Sequence, residues 1–92
     1  FGALLFKHTN CKKMKKITIN GSVEKIGSQA FYGCKNLKQI VIKSSFIKSV
    51  GKNALKGINK KAVIKVPKSK LKSYQKKFKK KGQKSSVKIK KL

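Results

Sequence analysis

Short apolar–x–apolar triplets recur along the chain at nearly constant spacing. They are Ile17-Thr18-Ile19, Ile40-Val41-Ile42, Ile64-Lys65-Val66 and Val87-Lys88-Ile89. Their first residues lie 23, 24 and 23 positions apart. Alternation with a period of two predicts strands, and equal spacing predicts that each turn of a repeat contributes one strand to a single parallel sheet. The residues between strands should return the chain by right-handed crossovers.

The rest of the repeat unit follows the same register. Residues 11–19 align with 34–42, and residues 26–34 align with 50–58. Apolar residues recur at fixed offsets and should stack inward, because one turn cannot bury its own apolar face. In the second turn these are Leu37, Ile40, Ile42, Ile47, Val50, Ala54 and Leu55. Matching glycines at 27, 33, 51 and 57 predict bends where a side chain would clash or where φ is positive.

The unit Ile-Gly-x-x-Ala-Phe-x-Gly-Cys-x-x-Leu-x-x-Ile-x-Ile, over residues 26–42, resembles the BspA-like leucine-rich repeat of bacterial surface proteins. The third copy departs from it, with Leu55 for the Phe, Ile58 for the Cys and Lys61 for the Leu. The resemblance implies an α/β repeat, a right-handed leucine-rich-repeat solenoid with a short parallel sheet. It also implies a secreted or wall-attached adhesive protein without catalytic residues.

The pattern changes after Pro67. Leu71, Tyr74 and Phe78 share one helix face, which predicts an amphipathic helix over 68–81 with Ser69 as N-cap and Gly82 at its end. A final strand is expected over 86–90. We therefore divide the chain into repeats at 1–67, about three of them, and a C-terminal cap at 68–92 that covers the end of the stack. A basic helix lying on a membrane surface is the alternative.

The N-terminal residues fit a preceding repeat. Phe1-Gly2 matches the apolar-Gly step, and Leu5 and Phe6 lie near the Ala-Phe positions. The pattern predicts the C-terminal fragment of a longer array, whose open N-terminal face exposes apolar surface and favours self-association.

Charge narrows the class of partner. The chain has 27 basic residues, all lysine, against Glu24 alone, for a net charge of +26. Such a surface attracts polyanions such as wall teichoic acid, anionic host glycans, anionic lipids or nucleic acid. The absence of arginine argues against specific reading of nucleic acid, for which the planar guanidinium is suited. A solubilising lysine coat without a specific ligand is the alternative.

The residues that carry chemistry are few. Cys11 and Cys34 occupy the same position in adjacent turns, where spacing permits a disulfide, but we favour buried thiols because Ile58 holds the third equivalent position. His8 is the single histidine, and Glu24 cannot form a carboxylate pair. The chain therefore lacks the ligands of an ordinary metal site, implies no cofactor and is not expected to be an enzyme.

Two surfaces are candidate binding sites. The concave face of the sheet should present Lys16, Thr18, Gln39, Val41, Lys43, Val63, Lys65 and Lys88. The predicted cap helix should present a polyanion-binding ridge of Lys72, Lys76, Lys79 and Lys80. The first surface favours adhesion to a host protein or glycan at the bacterial cell surface. The second favours retention on the wall polymer, and a purely structural end cap is the third alternative.

Overall fold

A computed structural model describes the backbone of residues 4–6 and the whole of residues 11–92. Its strands are β1 Leu4–Phe6, β2 Lys16–Ile19, β3 Val23–Ile26, β4 Gln39–Ile42, β5 Ser49–Val50, β6 Val63–Val66 and β7 Lys88–Lys91. A 3-10 turn at Lys68–Lys70 precedes one α-helix, α1, at Leu71–Lys77.

The strands form two parallel sheets. One has the order β2-β4-β6-β7, and the other has the order β1-β3-β5. From β1 to β6 the chain alternates between them, and α1 then stands where the next strand of the smaller sheet would come. The expectation of a single sheet was therefore wrong. Strand β5 has two residues and β3 reads Val-Glu-Lys-Ile, so neither carries the alternation that identifies a strand in sequence.

Equal repeat positions pair in register across the larger sheet. Ile17 pairs with Ile40, and Ile40 pairs with Ile64. The predicted alignment of Val87 with Ile64 was wrong, because Ile89 pairs with Ile64. This slip is two residues, so each side chain of β7 keeps the face expected for it.

The core lies between the two sheets and consists of stacked equivalents. Residues Ile19, Ile42 and Val66 are fully buried, as are Ala30 with Ala54 and Phe31 with Leu55. At the leucine position only Leu37 is buried, whereas Met14 is 41% exposed and Lys61 is exposed. The column of leucine positions is therefore shorter than the repeat alignment suggests.

Side-chain amides also repeat at the edge of the stack. The Asn36 amide donates to the Lys12 carbonyl at 2.8 Å, and the Asn59 amide donates to the Lys35 carbonyl at 3.3 Å. Each bond joins neighbouring turns, so these asparagines satisfy loop carbonyls that the strand ladders do not reach.

The glycine prediction is confirmed at Gly33, Gly51 and Gly57 by two kinds of constraint. Gly33 and Gly57 have φ of 76° and 90°, a region that favours glycine. A Cβ on Gly57 would also lie 2.8 Å from the Gly33 nitrogen, and a Cβ on Gly51 would overlap the Ser28 backbone. Gly51 and Gly57 therefore let successive turns approach closely.

Cys11 and Cys34 are joined by a disulfide, which corrects the preference for thiols. Their Cα atoms are 5.1 Å apart, within the range that a disulfide spans. Ile58 at the third position did not discriminate between the alternatives, since a buried disulfide is as apolar as a buried thiol. The bond links the first two turns across 23 residues.

The helix and the last strand differ from their predicted bounds. The segment 68–81 splits into the 3-10 turn and α1, which ends at Lys77, and β7 spans Lys88–Lys91 rather than 86–90. Ser69 is not an N-cap, because Pro67 and Lys70 hold the cap positions without a side-chain bond. Lys80, with φ of 56°, takes the left-handed conformation before Gly82 is reached, so the helix cannot continue.

Tyr74 ties α1 to the loop between β4 and β5. Its hydroxyl donates to the Ser44 carbonyl at 2.8 Å and accepts from the Ile47 amide at 3.0 Å. Its ring meets Phe78 edge to face at 6.3 Å between centroids, and both rings are buried in the core. Burial raises the pKa of the Tyr74 phenol, and the bond from Ile47 opposes part of that rise.

The N-terminal strand also corrects an alignment. Phe6 pairs with Ile26, so Leu5 and Phe6 do not occupy the Ala-Phe positions, which Ala30 and Phe31 hold in the next turn. His8, Phe1-Gly2 and the predicted open N-terminal face lie outside the described residues.

Replacing Tyr74 by Phe should lower the free energy of unfolding by about 1–3 kcal/mol, because the buried Ile47 amide and Ser44 carbonyl lose their partner. Denaturant titration measures this change, and Ser73→Ala on the exposed face of α1 should change it little. Equal effects of the two substitutions would contradict the role given to the hydroxyl.

The stability difference between wild type and Tyr74→Phe should depend on pH. The folded state holds the pKa of Tyr74 above its ordinary value of about 10, so the stabilisation from this phenol is complete below that pH and is lost as pH rises through the folded-state pKa. The difference in unfolding free energy between wild type and Tyr74→Phe should therefore shrink at alkaline pH. Taking the difference cancels the effect of lysine deprotonation, and a constant difference would count against the prediction.

Removing the disulfide should destabilise the fold. Closing a loop of 23 residues restricts the unfolded chain, and its loss is expected to cost about 3 kcal/mol. Denaturant titration with and without a thiol reductant checks this, with the double variant Cys11→Ala, Cys34→Ala as a control that reductant should leave unchanged. No response of the wild-type protein to reductant under denaturing conditions would contradict it.

Candidate functional site

The outward side chains of the larger sheet form two stacked rows, which we call the outer strip. One row is Lys16, Gln39, Val63 and Lys88, and the other is Thr18, Val41, Lys65 and Lys90. Both rows follow from parallel pairing, which places equal repeat positions side by side. With about 4.8 Å between strands, the four strands span roughly 14 Å.

The two middle strands of the outer strip mix apolar and polar side chains, with Gln39 and Val41 on β4 and Val63 and Lys65 on β6. Val41 is buried among its neighbours although it points away from the core, and Val63 is half-buried beside it. Lys16 lies on one outer strand, and Lys88 and Lys90 lie on the other. The strip can therefore offer apolar contact flanked by cationic donors.

The structure brings together most of the strip residues proposed from sequence. Lys88 pairs with Val63 rather than standing opposite Lys65, and the residue opposite Lys65 is Lys90, which the sequence alignment missed. Lys43 follows β4, and its amide continues the ladder by donating to the Ile19 carbonyl at 2.9 Å. It extends the strip beyond the strand end.

The four lysines proposed on the terminal helix do not form one ridge. Lys72 and Lys76, one helical turn apart, line a cleft of about 380 Å³ with Lys77 and Ser73. Lys79 and Lys80 come after α1 and line a different cleft, of about 470 Å³, with Lys84, Gln75, Gln83, Ser85, Val87 and Ile89. The early end of the helix at Lys77 separates the two pairs.

A third concave surface, which we call the Phe46 groove, has no counterpart in the sequence proposals. It measures about 840 Å³ and lies between α1 and the loops that follow β2 and β4. Its lining includes Ser22, Glu24, Ser45, Phe46, Ile47, Lys48, Lys70, Ser73, Tyr74 and Lys77. It thus combines an aromatic ring, hydroxyls, lysines and the sole carboxylate of the chain.

Glu24 is held in the groove by an ion pair. Its Oε1 lies 3.1 Å from the Lys48 Nζ, and the Lys48 amide donates to the Glu24 carbonyl at 2.7 Å. The Lys48 side chain is mostly exposed, so the pair contributes little to stability and serves chiefly to position the two groups.

The loop that carries Phe46 can be identified in the sequence from a change in repeat length. The larger-sheet strands β2 and β4 are offset by 23 residues, whereas β3 and β5 are offset by 24. One residue is therefore added between Ile42 and Ile47, in the loop that carries Phe46. The stacked core residues keep their positions on either side of this loop, so the packing of the core does not determine the loop's length.

These surfaces present lysines, hydroxyls and apolar side chains, which are groups suited to binding. Among residues 11–92, none of the lysines is buried, and no three metal-ligating side chains come together. Within the described part of the chain, no helix has both the length and the apolar character needed to cross a bilayer.

Comparison with known proteins places the chain in a family. The family model described as "BspA type Leucine rich repeat region (6 copies)" matches residues 4–92. No curated protein and no solved structure matches the chain. The family is one of typically non-catalytic, bacterial surface repeat proteins that serve in protein interaction. From its in-register parallel strands, its stacked apolar columns and this match over nearly its whole length, the chain belongs to the BspA-type leucine-rich repeat proteins.

Proposed function

We propose that this chain is a non-catalytic adhesion module of a bacterial cell surface, which binds a host protein or glycan across the outer strip. The observation that carries the proposal is the mixed character of the strip, with Val41 and Val63 in the middle and lysines on both outer strands. Protein interfaces commonly combine an apolar centre with a polar rim.

The size of the strip sets how it binds. A face of roughly 14 Å by 10 Å is far smaller than the ~800 Å² that each partner of a stable complex buries. We infer that the strip contributes part of a larger recognition surface, in which each further turn of an array adds one strand. Binding by this chain alone should therefore be weak.

The proposal includes an assignment of the last elements. We propose that α1 and β7 close the C-terminal end of a right-handed solenoid. The burial of Tyr74 and Phe78, and the pairing of β7 with β6, support this assignment. Terminal turns need such a cover because one of their faces has no neighbouring repeat.

A surface location agrees with the disulfide between Cys11 and Cys34. Disulfides persist in oxidising environments outside the cytoplasm. The bond therefore supports a secreted or wall-attached protein, as the family suggests.

A second candidate function is retention on an anionic wall polymer such as teichoic acid. The clefts beside α1 favour it, because Lys72 and Lys76 line one and Lys79 and Lys80 line the other. A structural end cap with a solubilising lysine coat remains the third alternative.

Three sets of lysine-to-glutamine substitutions with equal charge change separate these functions. The strip set is Lys16, Lys65, Lys88 and Lys90; the helix set is Lys72, Lys76, Lys79 and Lys80; and the control set is Lys12, Lys35, Lys52 and Lys60, which are exposed and line none of the three concave surfaces. Binding to cultured epithelial cells at physiological salt should fall severalfold for the strip set alone. Elution from immobilised teichoic acid by a salt gradient tests the second candidate.

The outcomes are distinct because all three sets remove four charges. Earlier elution of the helix set alone would favour wall retention over adhesion. Equal losses of binding for all three sets would show that binding depends only on the total charge, as expected for a lysine coat without a specific ligand. Cell binding that falls no more for the strip set than for the control set would reject adhesion through the strip.

A further inference from the structure

The Phe46 groove has the composition of a carbohydrate site. We propose that it binds a short acidic oligosaccharide, with a sugar ring stacked on Phe46 and its carboxylate or sulfate groups paired with the groove lysines. The volume of about 840 Å³ lies within the range of roughly 300–1,000 Å³ that is usual for small-ligand sites.

Phe46 is displayed by a fixed backbone. The buried Ser44 hydroxyl donates to the Val23 carbonyl and accepts from the Phe46 amide at 3.1 Å. Ile47 then turns into the core, where Tyr74 holds its amide, and Phe46 is left 64% exposed. The ring is thus presented without a large ordering cost, and its electron-rich face suits the weakly positive C–H bonds of a pyranose.

The groove also supplies cations of the right kind. Lys48, Lys70 and Lys77 line it, and the last two are half-buried, so their stems lie along its walls while the ammonium groups remain available. These three charges outweigh the carboxylate of Glu24. The groove therefore attracts anions and can hold them as charge-assisted pairs.

Glu24 distinguishes a sugar from other anionic ligands. A carboxylate accepts hydrogen bonds from the many hydroxyls of a sugar, and an anionic ligand without hydroxyl donors cannot make these bonds. The hydroxyls of Ser45 and Ser73 line the same groove and can bond sugar oxygens in either direction. A ligand with both acidic groups and many hydroxyls uses every one of these side chains.

This site is separate from the outer strip. The groove lies beyond the carboxyl ends of β2 and β4, and none of its residues belongs to the strip. Failure of the groove proposal would therefore leave adhesion through the strip untouched, and the reverse also holds.

The test is a nuclear magnetic resonance titration of the folded chain with a heparin hexasaccharide in buffer of raised salt, which suppresses binding to the general lysine surface. Phe46→Ala should weaken binding by roughly three- to tenfold, the range expected for one aromatic contact. Met14→Ala is the matched control, since Met14 is also exposed, lies outside the groove and carries no charge. It should leave the affinity unchanged.

Glu24→Ala gives the sharper comparison. This substitution raises the net charge by one, so attraction by the whole surface predicts tighter binding. The proposed site predicts weaker binding, because the acceptor for the sugar hydroxyls is gone. Thermal melting of each variant checks that the fold is retained, and Phe46 and Glu24 both lie outside the buried core.

Several results would overturn the proposal. Equal affinities of wild type and Phe46→Ala, or tighter binding by Glu24→Ala, would assign the binding to unspecific charge. An acidic peptide of matched charge that binds the groove more tightly than the hexasaccharide would assign the site to protein recognition instead. Shifts confined to resonances of the outer strip, or to Lys72, Lys79 and Lys80, would place the sugar elsewhere.

Discussion

The structure depends on one constraint, that equal positions of successive turns stack directly on each other. Parallel pairing places Ile17, Ile40 and Ile64 side by side. The same register places the other residues of these strands beside their counterparts in the next turn. Gly51 and Gly57 allow the backbones to come this close. Burial, the asparagine bonds between turns and the Cys11–Cys34 disulfide all follow from that registration.

After β6 the chain no longer alternates between strands of the two sheets, and α1 follows. Helix α1 lies between β6 and β7 in the chain, and the Tyr74 hydroxyl makes two bonds to the loop between β4 and β5. The same loop carries an extra residue and presents Phe46. This loop and α1 both line the Phe46 groove.

The stacked turns determine where the lysines of the surface lie. A net charge of +26 with a single carboxylate gives a field that attracts any polyanion, so binding alone is uninformative. The positions of the lysines relative to other side chains are what distinguish one surface from another. The outer strip sets lysines beside Val41 and Val63, and the Phe46 groove sets them beside a ring and Glu24, whereas the four lysines proposed on the terminal helix divide between two clefts.

The sequence by itself determined the repeat, the strands of the larger sheet, the inward apolar columns and most of the outer strip, because these follow from periodicity that each turn repeats. It did not determine the second sheet, since β5 is too short to show alternation. It left the cysteine pairing open, because a thiol and a disulfide suit the same buried position. Only the tertiary structure decided where α1 ends, which residue of β7 pairs with Ile64, and that Phe46, Glu24 and three lysines meet in one groove. Those outcomes depend on contacts between distant segments, which local patterns do not encode.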